Sequence, residues 1–391
     1  MSKLWIVFAK EVLENARDRR SVTSALLFGP LFGPVLFTVL LGLAAQAETE
    51  RAEAPLTVPV VGGEQAPNLM AWLRQQGVGL EPPPTDPVAA VRERRARLVV
   101  VVEARFAERL GQALPAPVRL IHDRSRRDTL TEVRRVRQLL ETYGRTVGLL
   151  RLQARGLDPG VVQALAVVVE DVSTAEGRAA ALLVMMPFFV MMSLFIGGMY
   201  LAIDTTAGER ERGTMEALLC NPVPRWMLMG GKLLATVVFA WLSLALTLAM
   251  FALSLPFLPA GALGQEIRLG LGKALLIFLV AAPVGLPAAA LQTLIATFSR
   301  GFREAQTYVS LLVFIPMVPG LLLMLGPAPR ADWPLLIPVF GQNLLIDRVL
   351  RGEAVGSLEV ISSMLGTVAL GALLALLSAR LYRREALLYS S

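Results

Sequence analysis

No Asp, Glu, Lys or Arg falls between Val22 and Gln46. A stretch this long and apolar is satisfied by a helix in lipid: crossing the hydrocarbon takes about 20 residues, and only helices and closed barrels pair every peptide group there. The same freedom from charge recurs over Ala179–Ile203, Leu233–Leu255, Ala274–Ser299, Ala305–Leu325 and Val360–Ala379. The sequence therefore predicts an α-helical polytopic membrane protein with six transmembrane helices. Pro30 and Pro34 are expected to kink the first crossing. Trp333–Ile346 is apolar but too short to cross, and Pro334, Pro338 and Gly341 interrupt it, so residues 333–346 read as re-entrant or interfacial.

Between the first two crossings the chain changes character. Charge and proline rise, and the apolar runs shrink to strand length. Leu56–Val61, Leu98–Val102, Val118–His122 and Val167–Val172 are β-branched runs, separated by helical patterns near 68–76, 87–97, 104–113 and 128–156. Strands alternating with helices predict a soluble α/β domain over 47–178. The long helical pattern is conspicuously basic, and is read first as a solvated face.

Lysine and arginine fix an orientation. Those at 3, 10, 17, 19 and 20, at 210, 212, 225 and 232, at 300 and 303, and at 380, 383 and 384 all fall on one side of the six crossings. The positive-inside rule makes that side the cytosol and exempts a long translocated domain. Residues 1–21 then form a cytosolic amphipathic helix, with Leu4, Phe8 and Val12 expected against the bilayer surface. Residues 22–46 are the first crossing, 47–178 are extracytoplasmic, 179–379 hold the other five crossings and 380–391 are a cytosolic tail. The setting is the cell, or inner, membrane. The net charge of +7 is accounted for by these loops, so no nucleic-acid partner is expected. One cysteine and one histidine exclude an internal disulfide framework and a multi-His metal site.

The most informative polar stretch lies between the second and third crossings. Thr214, Glu216 and an apolar set at Met215, Leu218 and Leu219 predict a short helix, with the Thr214 hydroxyl at its start and Pro222 and Pro224 ending it. Such a helix is too short to stand alone and needs a groove to lie in. The run Gly208-Glu-Arg-Glu-Arg-Gly-Thr-Met-Glu-Ala-Leu-Leu, the following Asn-Pro-Val-Pro-Arg and the pair Gly231-Lys232 resemble the cytoplasmic loop of type-2 ABC transporter permeases, particularly the NatB-like branch. Lys10-Glu-Val-Leu-Glu-Asn-Ala-Arg-Asp-Arg-Arg and Arg380-Leu-Tyr-Arg-Arg-Glu-Ala-Leu extend the likeness to nearly the whole chain. It departs at Met215 and Cys220.

The resemblance implies that residues 208–219 are a coupling helix docking on a separate ABC ATPase subunit, with ATP and magnesium held there and no cofactor in this chain. It assigns Glu209, Arg210, Glu211, Gly213, Thr214, Met215, Glu216, Leu218 and Leu219 to that contact, the acids for ion pairs and the apolar side chains for the groove. Pro222, Pro224 and Lys232 would form the hinge. It also implies a second permease copy or a related permease beside this one in the lipid bilayer, and sodium export. No phosphate-binding loop is present, since Gly231-Lys232 and Gly272-Lys273 lack the glycine five positions earlier, and no Ser-His-Asp or zinc-protease constellation is available. The crossings are expected to hold no ionisable side chain. A cation would then have to use oxygens of Ser193, Thr247, Gln292, Thr293, Thr297, Tyr308, Ser310, Gln342 or Asn343, or carbonyls near Pro283, Pro287, Pro316 and Pro319; each also has a plain packing or kink reading. An apolar lining equally fits export of a hydrophobic or amphipathic compound. A non-transporting receptor with an outer sensing domain, and a secondary transporter, are the rival classes.

Overall fold

The computed structural model describes residues 2–18, 22–126, 129–158, 160, 174–260, 266–325 and 333–381. Most of them are helical, and six helices are long and apolar enough to cross a membrane: Gly29–Ala47, Met186–Glu211, Arg225–Phe257, Leu271–Phe298, Phe302–Leu323 and Ser357–Arg380. The chain is a multi-pass membrane protein.

The chain forms two compact units, one of residues 1–45 and 172–391 and the other Gln46–Asp171. In the first, an N-terminal helix, Lys3–Arg17, precedes the first span. That span opens as a wide π-helix over Thr23–Phe32, with Pro30 inside it, and continues as an α-helix over Gly33–Glu53. A proline ring removes one helical donor and crowds the preceding turn, and the wider winding accommodates it. Pro283 has a comparable effect in the fourth span, where a 3-10 turn over Ala282–Val284 separates Leu271–Ala281 from Gly285–Phe298.

The second to fourth spans form the centre of the bundle. Met186, Met191 and Leu194 of the second, Leu244 and Phe251 of the third, and Ile277 and Val284 of the fourth are fully buried in one core. Small residues set the spacing: a Cβ on Gly197 would lie 2.3 Å from Ser243 Cβ, and one on Gly198 2.8 Å from Thr236 Cγ2. Close backbone approach of this kind is how helices associate where lipid gives no hydrophobic drive. The segment expected to be re-entrant is a 3-10 turn, Trp333–Leu336, followed by the helix Phe340–Leu350, whose residues Gly341 to Asp347 are all buried. It turns at Val339, a β-branched residue at φ 71°, and Gly341 lies against the Leu335 carbonyl. Of the cytosolic tail expected over 380–391, Arg380 and Leu381 belong to the helix Ser357–Leu381, and residues 382–391 lie outside the described residues.

The second unit is built on a four-stranded sheet in the order β2-β1-β3-β4, with β1 Leu56–Val61, β2 Val78–Glu81, β3 Leu98–Val102 and β4 Val118–His122. β1 runs parallel to β2 and β3, and β4 is antiparallel to β3. Every residue of β3 is buried because helices cover both faces: Leu98, Val100 and Val102 meet Leu69, Phe106 and Val136 on one side, while Val99 and Val101 meet Val91 on the other. Three strands have the bounds expected from their β-branched runs, β2 was not anticipated, and Val167–Val172 lies outside the described residues.

Candidate coupling site

The second span does not end at Ile203. It continues through a π-wound turn, Asp204–Gly208, and Glu209–Glu211, and breaks at Gly213, whose φ of 72° and ψ of 4° are left-handed. Glycine reaches that conformation without a side-chain clash. The short helix that follows is Thr214–Leu219, so the segment 208–219 is two helical pieces around Gly213. The Thr214 hydroxyl does not cap it; it donates instead to the Glu209 carbonyl at 3.2 Å. Pro224 then starts the helix Arg225–Ser254.

Lys232 sits inside that helix rather than at a hinge, and its side chain is fully buried. Its ammonium lies 2.6 Å from Glu209 Oε1 and 3.1 Å from Glu11 Oε1, and it donates to the Thr205 carbonyl at 2.8 Å. Both carboxylates are nearly as buried as the lysine. An ammonium withdrawn from water is tolerated only with such partners, because the desolvation cost is offset by close opposite charge and hydrogen bonds. Three stretches of sequence, the N-terminal helix, the end of the second span and the start of the third, are therefore held through one nitrogen atom.

The local sequence explains how. A Cβ on Gly231 would lie 2.7 Å from Val7 Cγ1 and 3.1 Å from the Phe8 nitrogen, and one on Gly230 3.2 Å from Leu4 Cδ1. The glycine pair lets the N-terminal helix lie flush on the third span, which brings Glu11 to Lys232. Leu4 thus meets the third span, and Phe8 and Val12 pack on Leu201, Ala235 and Phe239. This corrects the expectation that Leu4, Phe8 and Val12 face the bilayer: the exposed apolar side chains of that helix are Trp5, Ile6 and Leu13. The helices of the second and third spans extend beyond their charge-free stretches and carry Glu209 and Lys232 within Met186–Glu211 and Arg225–Phe257. Mutual neutralisation lets both helices run past the point where charge first appears in sequence.

Lys10 joins the cluster from its rim, 3.0 Å from Glu14, 3.2 Å from Glu11 and 3.6 Å from Glu209. Burial pulls its ammonium down, but Glu11, Glu14 and Glu209 outweigh that and hold it above the usual lysine range. Further contacts tie the loop to the turn between the fourth and fifth spans. Arg210 donates to the Thr297 and Ser299 carbonyls at 2.8 and 3.1 Å, and Glu211 accepts from the Phe302 backbone N–H at 2.7 Å. Arg212 pairs with Asp204 at 2.8 Å, and Lys3 donates to the Pro222 carbonyl at 2.6 Å.

The residues expected to face a partner therefore divide. Glu209, Arg210 and Glu211 are engaged within the chain, and Met215 is buried against Met229. Gly213, Thr214 and Glu216 are exposed, Leu218 is half-buried, and the Leu219 side chain lies outside the described residues. The residues the sequence reading missed are Glu11 and Lys10. Their signal was Lys232, a lone lysine amid the apolar residues 226–255, which requires an acid from elsewhere in the chain.

The candidate pathway residues are buried as well. Ser193, Thr247, Thr293 and Thr297 each donate to a carbonyl three or four residues earlier in their own helix, and Gln292 Nε2 donates to Phe195 of the second span at 2.5 Å. Asn343 Nδ2 donates to the Val339 carbonyl at 2.8 Å. Gln292 Oε1 and Asn343 Oδ1 are buried with no hydrogen-bond partner among the described residues.

Residues 25–380 match the family described as ABC-2 family transporter protein. The chain belongs to that family. It is also 26% identical over 356 residues to the ABC transporter permease protein NatB of Bacillus subtilis (strain 168), an alignment covering 88% of this chain and 89% of that protein. Within this ABC-2 chain, the family match includes Glu209, Glu216 and Lys232 and begins after the helix Lys3–Arg17 that supplies Glu11.

Proposed function

We propose that this ABC-2 family membrane subunit is the permease of an ATP-driven exporter, and that it takes its driving force from a separate ABC ATPase docked on the turn around Gly213 to Leu219. The observation that carries the reading is the burial of Lys232 between Glu11 and Glu209. A displacement applied at Glu216 would reach Glu209 within two helical turns, and through Lys232 the third span and the N-terminal helix together. ATP and magnesium belong to the ATPase, a second permease copy or a relative completes the pathway, and the chain lies in the cell membrane with both termini and this turn in the cytosol. The unit of residues 46–171 is then a soluble domain on the outer side.

Sodium is the cargo implied by the NatB-like loop. A hydrophobic or amphipathic cargo is the second reading, favoured by the apolar core that the second, third and fourth spans share. Co-purification with an ABC ATPase, followed by ATPase assays with sodium and with a panel of hydrophobic compounds, distinguishes the two. Crosslinks from Glu216→Cys should reach that ATPase; an absence of any nucleotide-hydrolysing partner would overturn the proposal.

A further inference from the structure

The second unit contains a cavity of about 450 Å³ between β4, the helix Phe106–Gly111 and the long helix Leu130–Ala154. Its walls are largely apolar, formed by Phe106, Leu110, Leu120, Leu140, Tyr143 and Val147. The volume falls within the roughly 300–1,000 Å³ of small-molecule sites. The long helix leaves this space open by its own sequence. Gly144 lines the cavity and Gly148 follows one turn later, and a Cβ at either position would meet nothing within 4 Å. Neither glycine is required by a close neighbour or by a left-handed backbone, yet glycine is among the least favourable residues for a helix interior.

Charge is unequal at the rim. Arg137 is neutralised by Glu141 at 2.7 Å, whereas Arg151 donates to the Leu110 carbonyl and pairs with no carboxylate among the described residues. A half-buried guanidinium beside an apolar hollow is complementary to a molecule with an apolar body and one anionic end, since guanidinium–carboxylate hydrogen bonds are short and strong. We propose that this cavity binds a long-chain carboxylate, with the tail along Phe106, Leu120 and Leu140 and the head on Arg151. The inference does not rest on the exporter reading, because every residue it uses belongs to the second unit.

The test uses full-length protein in lipid nanodiscs, a diazirine-bearing long-chain fatty acid and the matching alcohol, with labelled peptides mapped by mass spectrometry. The acid should label peptides within 106–151, and the alcohol should do so far less. Gly144→Leu should abolish that labelling while leaving the thermal midpoint unchanged or raised, since leucine is the better helix former. Arg151→Gln should weaken acid labelling by about tenfold, the loss of one charge-assisted contact. Labelling confined to the spans, labelling that persists in the Gly144→Leu protein, or equal labelling by acid and alcohol would each overturn the assignment. An absence of crosslinks from Glu216→Cys to an ATPase would leave it intact.

Discussion

Lys232 gathers Glu11, Glu209 and the Thr205 carbonyl around one ammonium, and its substitution should be unequal to that of its partners. Lys232→Met leaves Glu11 and Glu209 buried with only Lys10 at the rim as a counterion, which costs up to about 3–5 kcal/mol for a broken buried pair. The triple replacement Glu11→Gln, Glu209→Gln and Lys232→Met removes the charge altogether and should recover much of that loss. Thermal unfolding in detergent measures both, and equal midpoints would show that the charges are not felt. A second residue-scale expectation concerns the other unit, where Asp86 caps the helix Pro87–Arg92. The backbone N–H groups of Ala89 and Val88 donate to it and hold its carboxyl below the usual aspartate range. Its contribution is therefore present above the unfolded value of about 3.9 and is lost as pH falls through the lower folded value. Asp86→Ala should destabilise the protein at neutral pH, with the difference from wild type fading under acid titration.

At the scale of elements, the packing of the N-terminal helix on the third span depends on Gly230 and Gly231. Gly231→Val should push that helix away, and hydrogen exchange over residues 3–17 should rise several-fold while the spans stay protected. How much of these elements the sequence disclosed follows from their chemistry. The spans were legible because lipid demands unbroken apolar runs, and β1, β3 and β4 because their β-branched residues are concentrated. β2 was not, because Val-Gly-Leu-Glu carries one β-branched residue, and its glycine answers a crowding invisible in sequence: a Cβ on Gly79 would lie 2.9 Å from Thr57 Cγ2. In the candidate site the loop was legible from its run of charge between prolines and apolar stretches. Which of its acids turn inward was not, because Glu11 and Lys232 meet across more than two hundred residues. The apolar spacing of Leu4, Phe8 and Val12 correctly marked one helix face but could not say whether protein or lipid covers it.

For the whole molecule, the second, third and fourth spans are 67%, 56% and 56% buried, whereas the first, fifth and sixth are 22%, 28% and 17% buried. The latter need lipid or another protein against faces that include Phe32, Phe314 and Leu365. With a second copy in place, Phe32→Cys or Phe314→Cys in a Cys220→Ser background should give a disulfide-linked dimer in native membranes, read on a non-reducing gel. Orientation can be read with the protein's own chemistry. Cys220 is the only cysteine and is exposed beside the short helix Thr214–Leu219. A membrane-impermeant maleimide should modify it in inside-out vesicles and not in intact cells, while Ser125→Cys in the second unit should show the reverse.

The salt-bridged lysine also bears on how the protein tolerates changes at its front end. Trimming the leader through Arg17, or starting translation later, would strip one counterion from an ammonium sealed within the bundle. A segment that looks expendable, and that lies ahead of the family match, thus supplies one of the two carboxylates that enclose a buried lysine of the helices behind it.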